Sequence, residues 1–144
     1  MIEQDTIRLL RECDAGIKMG VSAIDDVIDY VGSSTLKDIL SRCKDKHLAL
    51  QEDMQILLEK YQDDGKEPNP MAKGMSWLKT NVMLNVNESD ATVADLITDG
   101  CNMGVKSLNK YLNEYEAAEE KVKELTKKVI DLEEKLAIDI RRFL

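Results

Sequence analysis

Apolar residues return at steps of three, four and seven over most of this chain, and that periodicity leaves few folds open. Between Ser34 and Tyr61 the stripe reads Leu36, Leu40, Cys43, Leu50, Met54, Leu57 and Tyr61. Such spacing places every one of them on one face of a helix. His47, the only histidine, falls on the same stripe. An earlier stretch, Thr6 to Val31, carries two interleaved rows. One holds Leu10, Ile17, Ile24 and Val31; the other holds Ile7, Asp14, Val21 and Ile28. This is heptad-like, as in bundles whose helices cross at small angles. Asp5 is the expected N-cap of this first helix. Gly32-Ser33-Ser34 supplies a helix stop and a new cap, so the first two helices are expected as antiparallel neighbours.

The second stretch closes in Asp63-Asp64-Gly65, with Pro68 and Pro70 beyond. Met71, Met75, Leu78, Val82 and Val86 then mark a shorter amphipathic helix, with Trp77 beside its stripe. Ser89 or Asp90 can cap a third long helix, striped by Ala94, Ile97, Cys101, Gly104, Leu108, Tyr111 and Tyr115. A turn is expected at Asn113–Glu116. The last helix, Ala117 to Phe143, is expected to turn Val122, Leu125, Val129, Leu132, Leu136, Asp139 and Phe143 inward. No segment reads as a strand. A composition of 43% hydrophobic and 33% charged residues with two prolines suits helices. The expected fold is all-α: one domain over residues 1–144, an up-down-down-up four-helix bundle. A short extra helix lies in the long crossover between helices two and three.

The net charge of −8 argues against nucleic acid and anionic membrane surfaces as partners. No apolar run approaches the roughly 20 residues that span a bilayer. Met1 to Asp5 is polar, and no signal-like apolar run follows, so a cytoplasmic location is expected. Cys13, Cys43 and Cys101 have neither zinc-knuckle nor CxxC spacing and read as small buried hydrophobes.

A helical bundle can hold two metal ions when one Glu on each of two helices joins a Glu-x-x-His on each of the others. Here Lys44 stands three residues before His47, the last helix has no histidine, and the third helix turns Gly100, Cys101 and Gly104 inward. Asp95 and Asp99 lie beside that stripe. Asp14 and His47 remain as weak metal candidates. Measured from the first turn, about eighteen residues back and about fourteen forward, they are offset by roughly 6 Å along the axis. A polar contact in the core is the plainer reading of both. No metal or other cofactor is expected, and iron is the alternative. Cys43 and His47, at i and i+4, can touch, but no third group to orient them and no oxyanion donor is evident. Gly16, Gly20, Gly100 and Gly104 leave space that a small molecule could use.

Several short segments together resemble an uncharacterised bacterial branch of the ferritin-like superfamily, related to rubrerythrins. They are Cys43-Lys44-Asp45-Lys46-His47, Gly65-Lys66-Glu67-Pro68, Trp77-Leu78-Lys79, Asp99-Gly100 and Lys110-Tyr111-Leu112. The resemblance implies a bundle that often dimerises and, in metal-bearing members, binds two irons through inward Glu and His. Only His47 matches such a position. The expected function is therefore an interaction or structural protein whose di-iron site is lost. It would be a homodimer through the methionine-rich crossover helix, with a metal-binding oxidoreductase or storage protein as the alternative.

Overall fold

Amphipathic stripes become helices wherever a cap can start them and a turn can stop them. The computed structural model describes residues 2–66 and 89–144. Among these residues the chain forms α1 (Ile2–Ile28), α2 (Ser34–Lys60), α3 (Asp90–Glu114) and α4 (Glu120–Ile140), then a 3-10 turn at Arg141–Phe143. No strand occurs among the described residues. The short helix expected at Met71–Val86, with Trp77, lies outside them.

Two serines start helices as their positions imply. Ser33 Oγ accepts from Leu36 N at 3.3 Å, and Ser89 Oγ accepts from Thr92 N at 3.2 Å. Asp5 has a different role from the cap expected of it. α1 begins at Ile2, so Asp5 lies in its first turn, and its Oδ2 accepts from Ala117 N at 3.2 Å. Thr6 Oγ1 accepts from Glu119 N at 2.9 Å. The start of α1 is thereby fastened to the α3–α4 turn. Arg11 binds Asp63, just beyond α2, at the same end. At the other end the Asp90 carboxylate accepts from Gly32 N at 2.8 Å and Ser33 N at 2.9 Å. These ties orient the helices. α1 and α4 run one way and α2 and α3 the other, so α2 ends at one end of the bundle and α3 begins at the other.

α1 packs against α2 and α3, and α4 packs against the same two from the opposite corner. The core is divided into two apolar clusters. One gathers Leu9, Leu10, Ile17, Met54, Leu58 and Val122; the other gathers Ile24, Val27, Leu36, Leu40, Ile97 and Ile140. The buried rows differ from the heptad rows in two helices. In α1, Thr6, Leu9 and Cys13 are buried while Ile7, Val21 and Ile28 are only half-buried. In α4, Ile130, Glu133 and Ile140 are buried while Leu132 and Asp139 lie half out, as does Phe143 in the turn beyond. An α-helix has 3.6 residues per turn, so a strict seven-residue frame slips by about 20° per heptad. Over helices this long the slip moves the inward face by one residue. No helix among the described residues is long and apolar enough to cross a membrane.

Candidate functional site

A polar layer separates the two apolar clusters, and each helix gives it one residue: Gly20 from α1, His47 from α2, Gly104 from α3 and Glu133 from α4. Gly20 makes room for the two large side chains, and Gly104 lies in ordinary contact with Glu133. A Cβ at Gly20 would stand 2.9 Å from His47 Nε2 and 3.3 Å from Glu133 Oε1. One at Gly104 would lie 3.9 Å from Glu133 Cγ.

His47 is fully buried and Glu133 is 8% exposed. The imidazole Nε2 lies 2.6 Å from Glu133 Oε1, and Nδ1 lies 2.8 Å from the Cys43 carbonyl oxygen. A carbonyl oxygen and an ionised carboxylate both accept, an arrangement that matches a ring with hydrogen on both nitrogens. As an imidazolium His47 donates at both ends. Burial works most strongly against that charge. The hydrogen bonds with Cys43 and Glu133, and the negative charge of Glu133, outweigh it, and the pKa is pushed up to about 10. The pair is charge-assisted and screened from water.

All three cysteines are free and buried. Cys43 Sγ sits 3.5 Å from His47 Nδ1. Burial, with the adjacent charge of Glu133, pushes the Cys101 thiol well above its ordinary value. Burial likewise pushes Cys13 up to about 12.

Asp14 and His47, the two metal candidates, have separate partners. Asp14 is 1% exposed. Its Oδ2 receives Lys18 Nζ at 2.8 Å and Lys66 N at 3.0 Å. Gly65, at φ +83°, passes so near that a Cβ there would run into the carboxylate. Lys66 Nζ also reaches Glu12. Asp14 thus clamps the chain leaving α2 onto the side of α1. The polar core contact expected of His47 is made by Glu133 instead.

Among the described residues the donors do not suit a di-iron centre. The layer holds one imidazole and one carboxylate, already bonded to each other, and glycine stands on the other two helices. No three His, Cys, Asp or Glu side chains among the described residues converge as a metal would require. The space ascribed to glycines is also largely filled. Gly16 is met by Leu108 at 3.7 Å, Gly20 by His47 and Gly104 by Glu133; only Gly100 faces open space.

Glu133 escaped the sequence reading because Leu132-Glu133-Glu134-Lys135 looks like a solvated run, and the heptad frame turned Leu132 inward. One signal pointed to it. A histidine on an apolar stripe needs a partner, and Glu133 lies three residues from Ile130 and Leu136 on a continuous helical row. No family model, curated protein or solved structure matches the chain.

Proposed function

We propose that this chain is a ferritin-like bundle without a di-iron centre, working through its surface as a non-catalytic interaction or structural protein. The observation that carries the reading is the His47–Glu133 bond. It occupies the middle of the bundle, and both imidazole nitrogens are spent on protein acceptors. The ferritin-like assignment draws support from helix direction, with α2 and α3 parallel and a long connection between them. The partner we propose is a second copy of the chain, bound through the segment 71–86, whose sequence is amphipathic, in the cytoplasm. A stable interface of that kind buries on the order of 1,000 Å² or more.

Metal analysis of protein purified without chelator tests the first part, and substoichiometric iron is the expected result. Stoichiometric iron lost in His47→Ala would replace this reading with the metal-binding one. That alternative gains from Glu133, which gives His47 a carboxylate neighbour. Light scattering tests the partner. Met75→Glu is expected to turn a dimer into a monomer, and a wild-type monomer at all concentrations would end the homodimer proposal.

A further inference from the structure

We propose that Cys43 is a modifiable thiol, reached through the groove between α2 and α4, that forms mixed disulfides with small anionic disulfides. The proposal does not depend on the interaction reading above. It rests on a constellation joined by folding. Cys43 Sγ is 3.5 Å from His47 Nδ1, and His47 Nε2 is 2.6 Å from Glu133 Oε1. Glu133 is the third, orienting group that the Cys43–His47 spacing lacked in the sequence. It holds the ring in place and keeps it positive. Thiols attack disulfides as thiolates, and the imidazolium lies beside the sulfur that would attack.

Access and charge make the second half of the argument. Cys43 lines an open cavity of about 130 Å³ between α2 and α4. Arg42, Lys46 and Lys135 also line it, against a single carboxylate, Asp139. This local surplus of positive charge lies on a chain of net charge −8. Arg42 pairs with Asp38 at 3.1 Å and Lys135 with Asp139 at 3.7 Å. Both are exposed pairs, which are worth little and can yield to an incoming anion. Cys43 is 7% exposed, against 0% for Cys13 and 2% for Cys101. Burial also holds the thiols of Cys13 and Cys101 protonated.

The step is a thiol–disulfide exchange. Cys43 Sγ loses its proton to water in the groove, with the His47 imidazolium beside it. The thiolate attacks one sulfur of the reagent and a new S–S bond forms. The reagent's own S–S bond breaks, its other half leaves as a thiolate, and that thiolate can take up the proton. Glu133 is a positioning residue, acting through His47.

Native protein treated with dithiobis(nitrobenzoate), an anionic aryl disulfide, and with dithiodipyridine, a neutral one, tests the proposal. Peptide mapping should find Cys43 modified first, and Cys43→Ser should remove the fast phase. Lys46→Gln with Lys135→Gln should slow the anionic reagent by about tenfold and leave the neutral reagent unchanged. Glu133→Gln should slow both reagents and move the pH–rate profile. The proposal is overturned if Cys13 or Cys101 is modified first. It is equally overturned if all three react together at the rate of global unfolding, or if the lysine changes slow both reagents alike.

Discussion

At the scale of single residues, Gly20 of α1 and Gly100 of α3, which look alike in sequence, separate cleanly. Gly20→Ala would gain helix propensity of about 1 kcal/mol. Its Cβ, however, would press on a fully buried imidazole 2.9 Å away, and overpacking of a core costs about 1–3 kcal/mol. Net destabilisation is expected. Gly100→Ala meets nothing within 4 Å and should stabilise by up to about 1 kcal/mol. Urea unfolding of the two variants measures the contrast. His47 itself makes stability depend on pH. Its folded pKa of about 10 lies above the unfolded value near 6.5. Its contribution is therefore complete below about pH 6.5 and is lost as pH rises toward 10. Glu133→Gln should flatten that alkaline decline, which chemical unfolding between those pH values would show. None of this could be read along the chain: His47 announced a partner, and 86 residues separate it from Glu133.

At the scale of helices and turns, the serine caps were legible, and so was the inward face of α2 and α3, but not that of α1 and α4 along their whole length. Ser33 and Ser89 start helices because a hydroxyl accepts a free amide of the first turn, a rule local enough to see in sequence. Ser33→Ala and Ser89→Ala should each cost about 1 kcal/mol by thermal or urea unfolding. Asp90 shows the limit of local rules. From sequence it was a cap for α3; in the fold its carboxylate ties down the α1–α2 turn through Gly32 and Ser33. Asp90→Ala should therefore destabilise by more than a cap alone, about 1.5–3 kcal/mol, since a charged acceptor is lost to those amides. Gly65 belongs to this scale too. Its φ of +83° and its approach to Asp14 leave no place for a side chain. Gly65→Ala should loosen the start of the α2–α3 connection, seen as faster amide exchange at residues 63–66.

At the scale of the molecule, the His47–Glu133 layer interrupts an apolar core and ties α2 to α4. Breaking a buried pair leaves a charge without its partner, so His47→Leu or Glu133→Leu alone should cost about 3–5 kcal/mol. The double variant removes both charges and should recover most of that loss. Denaturation of the four proteins of the cycle gives the coupling directly, and two single-variant losses that merely add would refute it. Stripes, caps and turn residues determined by themselves that the chain would be helical, where its helices would start to within a few residues, and that the cysteines would be buried. Those properties depend on neighbours within a turn or two. Only the tertiary structure decided that Glu133 faces inward, that His47 bonds it rather than Asp14, and that Asp14 clamps the chain leaving α2. Helical drift accumulates over many turns, and a buried charge finds its partner across the bundle rather than along the chain.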